Sequence, residues 1–209
     1  MSGQDAPTVF VVDDDEGIRQ IIVDLVKTVG LRSQTFENGD DFLAAYEPTA
    51  PGCVILDVRM PGTSGLEIQK KLQEQPVPPP VIVLTGYGDI PMTVEAMRAG
   101  AHEFVEKPFR AQDLLDSIQN CLRADSENRE RHRTKTEIAT RLDSLTERER
   151  TVLEMVVEGL SNKEIARALD TSPRTVEVQR MRMMKKMEAS SIAGLVQIAI
   201  DAGIQRLEM

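Results

Sequence analysis

The sequence predicts two domains: an open α/β sheet of five parallel strands, doubly wound by helices, and then an all-α bundle of four helices. Three observations carry that prediction. Apolar runs alternate with helical patterns from Thr8 to Leu122. A stretch from Ala124 to Glu137 then holds no Val, Ile, Leu, Met or Phe. Beyond it, apolar residues recur at helical spacing behind Ser/Thr-x-x-Glu starts. A chain of 209 residues is comfortable for two domains of roughly 100 each. The expected division is 1–123, a charged linker over 124–143, and 144–209, with 124–137 either a solvated linker or a polar continuation of the preceding helix.

The short runs Thr8–Val12, Arg32–Phe36, Cys53–Asp57, Val81–Leu84 and His102–Val105 read as strands. Three are almost wholly apolar, as parallel strands covered on both faces are. Between the first two, Ile18, Ile21, Ile22, Leu25, Val26 and Val29 follow the i, i+3, i+4, i+7 template, and Gly30 supplies a stop. Further helices are expected over Gly39–Tyr46, Ser64–Gln73, Asp89–Ala99 and Ala111–Leu122. Repeated βα units without long insertions imply a doubly wound sheet whose site lies beyond the carboxyl ends of the strands.

Those ends hold the chemistry. The first strand runs into Asp13-Asp14-Asp15-Glu16, the third ends in Asp57, the fourth meets Thr85-Gly86, and the fifth leads to Lys107-Pro108. Carboxylates from two strands can share a hard cation such as Mg²⁺, which takes oxygen ligands and keeps several waters. A hydroxyl and an ammonium can hold the phosphoryl oxygens that remain, and phosphoryl transfer needs mainly positioning and charge neutralisation. Taken singly, each motif has a plainer reading. An acidic run complements a helix dipole, and Asp57 before Pro61-Gly62 is turn chemistry. Joint placement at successive strand ends favours a site.

Residues 8–122 resemble the receiver domain of two-component systems. The resemblance rests on Val11-Val12-Asp13-Asp14-Asp15, Leu56-Asp57-Val58-Arg59-Met60-Pro61-Gly62, Leu84-Thr85-Gly86 and Glu106-Lys107-Pro108-Phe109. It implies a flavodoxin-like sheet, with Asp57 as phosphoacceptor. Asp13, Asp14, Asp57 and the Arg59 backbone carbonyl would hold Mg²⁺. Thr85 would move toward the phosphate, Lys107 would pair with it, and Phe104 would be the rotating aromatic, for which the plain alternative is an ordinary core phenylalanine. The bond before Pro108 would be cis. Arg59 and Tyr87 fall where the family tunes phosphate lifetime.

In the second half, Thr146-Glu147-Arg148-Glu149 and Ser161-Asn162-Lys163-Glu164 are capping boxes, and Gly159 closes the helix begun by the first. Ser172 caps a third helix with Pro173 at its first position, and Ile192–Ala202 forms a fourth. A short helix, a turn and a longer helix outline a helix-turn-helix, whose second helix enters the major groove. On a helical wheel, Val176, Met183 and Met187 form the buried stripe, with Arg180 at its margin. Glu177, Val178 and Met181 are expected at base edges. Lys163, Arg174, Arg182, Lys185 and Lys186 suit phosphates, and Thr175 lies on the same helix start.

Leu145-Thr146-Glu147-Arg148-Glu149, Ser161-Asn162-Lys163-Glu164-Ile165-Ala166 and Ser172-Pro173-Arg174-Thr175-Val176-Glu177-Val178 resemble the LuxR-type output domain. Together with the receiver motifs, the chain resembles the FixJ group of NarL-type response regulators. Gln179 departs from the histidine frequent in that family. The resemblance implies a sensor histidine kinase, double-stranded DNA and RNA polymerase as partners, and a homodimer on phosphorylation. The chain would be a transcriptional switch and not an enzyme beyond its own phosphoryl chemistry.

Charge agrees with this division. The net charge of −9 resides in residues 1–123, with 10 Lys+Arg against 19 Asp+Glu, while residues 124–209 carry 15 of each. Seven basic residues against four acidic ones fall within 161–188, a local excess on two short helices. No apolar run approaches the roughly 18 residues of a membrane span, and Met1–Pro7 lacks a signal-peptide pattern, so a cytoplasmic protein is expected. Two other classes remain open. A phosphoaspartate-switched protein-binding adaptor would make the helical end a protein surface. A hydrolase using Asp57 as nucleophile would want an acid one or two residues later, where Val58 and Arg59 stand.

Overall fold

The protein was analysed as a computed structural model, which describes residues 6–86 and 90–204. Tyr87 and Asp89, named above, lie outside the described residues. Five strands, β1 (Thr8–Val12), β2 (Arg32–Phe36), β3 (Gly52–Asp57), β4 (Val81–Thr85) and β5 (Glu103–Glu106), alternate with α1 (Glu16–Thr28), α2 (Gly39–Ala45), α3 (Gly65–Gln73), α4 (Ile90–Arg98) and α5 (Ala111–Asp143). The sheet has the order β2-β1-β3-β4-β5 with every pair parallel. The strand order reverses between β1 and β3, which opens a crevice at their carboxyl ends.

Side chains alternate across each strand, and each face buries its own set. Phe10, Val12, Val54, Leu56, Val81 and Val83 meet Phe42 of α2, Ile68 and Leu72 of α3, and Ala96 of α4. On the opposite face Val9, Val11, Ile55, Ile82 and Leu84 meet Ile22 and Val26 of α1 and Leu114 and Ile118 of α5. Each such fully buried aliphatic side chain contributes about 1.5–3 kcal/mol. Cys53 and Cys121 are free thiols within this second core. Burial pushes both up, Cys121 to about 12.

Apart from the end of α5, the strand and helix bounds differ from the sequence reading by a residue or two. The stretch 124–137 resolves one open alternative, since it continues α5 as helix rather than forming an irregular linker. The chain divides into two compact units, Met1–Glu130 and Arg131–Met209. The first therefore reaches past residue 123.

The second unit contains the end of α5 together with α6 (Glu147–Val157), α7 (Asn162–Ala168), α8 (Pro173–Lys186) and α9 (Ile192–Asp201). Both capping boxes form, at Thr146/Glu149 and Ser161/Glu164. Ser172 caps α8 ahead of Pro173. Val176, Met183 and Met187 are fully buried among Val152, Leu153, Ile165 and Leu195. The methionines are core, as the wheel predicts.

Candidate functional site

Four strand ends converge at the crevice. Asp13 follows β1 directly, and its N–H donates to the Phe36 carbonyl at the end of β2. The acidic run divides by role: Asp15 caps α1, accepting from the Gly17 and Ile18 amides, which leaves Asp13 and Asp14 at the rim. Asp57 ends β3. The loop after it is pressed close, because a Cβ at Gly65 would stand 2.2 Å from the Asp57 carbonyl oxygen. Only glycine permits that approach.

Lys107 joins the acids. Its Nζ lies 2.7 Å from Asp13 Oδ2 and 2.8 Å from Asp57 Oδ2. The Lys107–Pro108 bond is cis. Asp13 is completely buried, Asp57 nearly so, and Asp14 exposed. One oxygen from each of these three carboxylates lies within 4.8 Å of the others. Three carboxylates against one ammonium leave an excess of negative charge in a partly desolvated place. Burial pushes the Asp13 carboxyl above its ordinary value, against the pull of hydrogen bonds from Lys107 and the Asp15 amide. Burial pulls Lys107 down, but its hydrogen bonds to Asp13 and Asp57 outweigh that and hold it above its ordinary value. A cluster of hard oxygen donors with surplus negative charge has the ligand chemistry of Mg²⁺.

The remaining rim residues take distinct positions. The Arg59 N–H donates to Asp57 Oδ1 at 3.2 Å. Thr85 is buried at the end of β4, with its hydroxyl donating to the Gly86 carbonyl at 3.1 Å. Phe104 is 47 % exposed on β5, so the reading of an ordinary core phenylalanine does not hold. Arg19 is an addition that the motifs did not single out. From the first turn of α1 it donates through Nη1 to the Asp13 carbonyl at 2.6 Å. Its spacing, one turn beyond the acidic run, was the available signal.

In the helical unit, α8 presents Arg174, Thr175, Glu177, Met181, Arg182 and Lys185 to solvent, with Val178 half-buried. Lys163 is exposed on α7. Met181 is 66 % exposed, unusual for a large apolar side chain on a helix whose other face is core. Arg174 and Glu177 pair at 2.8 Å, an exposed contact that gives way at little cost. Lys186, also expected at phosphates, has partners within the unit. Its Nζ is committed to Glu149 Oε2 at 2.6 Å and to the Ser144 carbonyl at 2.9 Å, because it sits at the edge of the buried stripe beside Met183 and Met187. Arg180 bonds Asn162 Oδ1 at 2.6 Å, tying α8 to the start of α7.

Residues 9–119 match the response regulator receiver domain family, and residues 143–199 match the luxR family of bacterial regulatory proteins. The chain belongs to the response regulators. It is 41% identical to the transcriptional regulatory protein FixJ of Bradyrhizobium diazoefficiens, over 94% of this chain and 96% of that protein. Identity to FixJ of Azorhizobium caulinodans is 42%, covering 94% and 93%. Among solved structures, response regulator StyR matches with a TM-score of 0.86 and 42% identity, covering 93% of this chain and 98% of that one. Full-length FixJ from B. japonicum matches with a TM-score of 0.57 and 40% identity, covering 95% and 98%. This response regulator thus joins a receiver to a LuxR-type DNA-binding domain that regulates transcription.

Proposed function

We propose that the regulator is switched by Mg²⁺-dependent transfer of a phosphoryl group from a sensor histidine kinase to Asp57. The observation that carries this reading is the convergence of Asp13, Asp14 and Asp57 within 4.8 Å, with Lys107 bridging Asp13 and Asp57. In the transfer, an Asp57 carboxylate oxygen forms the new O–P bond as the N–P bond to the kinase histidine breaks. Lys107 is already within reach of Asp57, so its ammonium neutralises the arriving charge without reorganisation. Asp13, Asp14, Asp57 and the Arg59 carbonyl would hold Mg²⁺, which supplies charge neutralisation on the phosphoryl oxygens when bound.

Phosphorylation adds roughly 1.5 to 2 negative charges. The Thr85 hydroxyl, now spent on the Gly86 carbonyl, is the nearby donor that gains a stronger acceptor by turning to the phosphate. With Thr85 displaced, the exposed ring of Phe104 has room to move inward. That change reshapes the surface of α4, β5 and α5, through which two copies associate. The dimer sets two α8 helices on half-sites about one turn of DNA apart. Lys163, Arg174, Arg182 and Lys185 meet phosphates, while Thr175, Glu177, Val178 and Met181 approach bases. RNA polymerase is the partner downstream. No helix among the described residues is long and apolar enough to cross a membrane.

Phosphodonor labelling of the full chain tests the acceptor. Asp57→Asn should abolish Mg²⁺-dependent incorporation, and labelling at the wild-type level would refute the assignment. In the same preparation, a phosphodonor should tighten DNA binding of the wild type and leave Asp57→Asn unchanged.

A further inference from the structure

Gly52 opens β3 and Asp57 closes it, so the two mark opposite ends of one buried strand, about 17 Å apart at roughly 3.3 Å per residue. At the Gly52 end the backbone has φ 153°, and a Cβ there would stand 1.9 Å from the Thr8 carbonyl oxygen. The Gly52 N–H is buried and donates to Asp125 Oδ2 at 2.9 Å. Asp125 lies in the polar continuation of α5 yet is only 2 % exposed. A carboxylate so buried requires a counter-charge and filled lone pairs.

Arg129 supplies both. Its Nε lies 2.9 and 2.8 Å from the two Asp125 oxygens. Its terminal nitrogens donate to the carbonyls of Pro48, Thr49 and Ala50 at 3.3, 3.1 and 2.6 Å. One planar guanidinium therefore gathers the connection between α2 and β3 and binds it to the helix, a geometry that suits arginine's fixed fork of donors. Residues 124–130 contain no large apolar side chain. A helix of that composition has no hydrophobic face to hold it down.

We propose that Asp125 and Arg129 form a latch that ties the first turns of the interdomain helix to the foot of β3. The helix is anchored to the receiver at Asp125 and Arg129. Polar contacts here do what an apolar stripe does elsewhere, and the strand that ends in Asp57 at one end holds the output helix at the other. The inference stands on this geometry and does not depend on whether Asp57 is phosphorylated.

The basic residues along the helix report on the latch. In the full-length protein, trypsin should spare Arg123 and Arg129, and amides 124–130 should resist hydrogen exchange. Arg129→Ala should speed exchange at 124–130 at least about tenfold and add a cut at Arg123, with amides 111–122 and 53–57 unchanged. Arg129→Lys, which keeps the charge but loses the fork, should fall between. Asp125→Asn should open cleavage at Arg129 itself. Unchanged protection of 124–130 in Arg129→Ala overturns the latch. That variant decides even where Asp125→Asn fails to fold, because it keeps the Gly52–Asp125 bond.

Discussion

The acidic rim gathers side chains from four strand ends, with Asp13 and Lys107 separated by 94 positions, whereas all candidate DNA contacts except Lys163 fall within the 14 residues of α8. The difference is also one of environment. At the rim, Asp13, Asp57 and Lys107 are largely buried and already bonded to one another before any ligand arrives. On α8 the candidate side chains other than Val178 and Lys186 stand in water, and Arg174 pairs with Glu177 at the surface. A buried, preorganised site stakes its chemistry on single atoms. An exposed face spreads its affinity over many small, screened contacts. Single substitutions should therefore be drastic at the rim and graded on the helix.

The sharpest break of that contrast is Lys107→Ala. Removing a preorganised charged donor from a reacting centre costs on the order of 10²–10³ in rate. Rapid-mixing phosphodonor labelling should show a loss of about that size, with Asp57 still the labelled residue. A rate within about threefold of wild type would mean that the ammonium only balances charge in the resting state.

Lys186 and Lys163 sharpen the comparison from the other side. Lys186→Ala leaves the Glu149 carboxylate, 8 % exposed, without its cation. It should destabilise the helical unit by about 2 kcal/mol, read from urea unfolding, with the salt dependence of DNA binding unchanged. Lys163→Ala should do the reverse. The slope of log affinity against log salt falls by about 1, and stability stays within about 0.5 kcal/mol. If Lys186→Ala lowers the salt slope instead, the lysine leaves Glu149 for a phosphate in the complex.

Both fates of these lysines were partly legible in the sequence. The rim was readable because its residues sit at strand ends, where the continuous apolar runs stop and the chain turns. The third helix was readable because Val176, Met183 and Met187 share one stripe. Lys186 was read among phosphate contacts, and its bond to Glu149 was missed, although the same wheel sets it at the stripe's edge, from which a long side chain reaches back to α6. Arg19 carried only a spacing signal. Asp125 and Arg129 carried only an i, i+4 spacing, because their other partners, the Gly52 amide and the carbonyls of Pro48–Ala50, are distant in sequence and are backbone atoms. For the same reason composition left 124–137 open between helix and loop. A segment without apolar periodicity is decided by contacts that composition does not encode.

The smallest expected effect separates buried from exposed chemistry within the helical unit itself. Glu149 and Glu164 occupy the same position in their two capping boxes, and both carboxyls are held below the ordinary glutamate value. For Glu149 the leading cause is its hydrogen bond from Lys186, followed by the Thr146 amide and hydroxyl against an opposing burial effect. For Glu164 the leading cause is hydrogen bonding to the Ser161 hydroxyl and amide, with a smaller contribution from the Arg167 charge, at a fully exposed site. A carboxyl lowered on folding contributes stability that is complete above its unfolded value, near 4.3, and is lost as pH falls through the lower folded value. The helical unit should therefore weaken in acid below about pH 4. Glu149→Gln should remove more of that acid dependence than Glu164→Gln, because only Glu149 also loses a buried ion pair on protonation. Urea midpoints of the two variants across pH 2 to 6 give the comparison, and equal slopes would mean that the Lys186 contact is no stronger than an ordinary exposed cap.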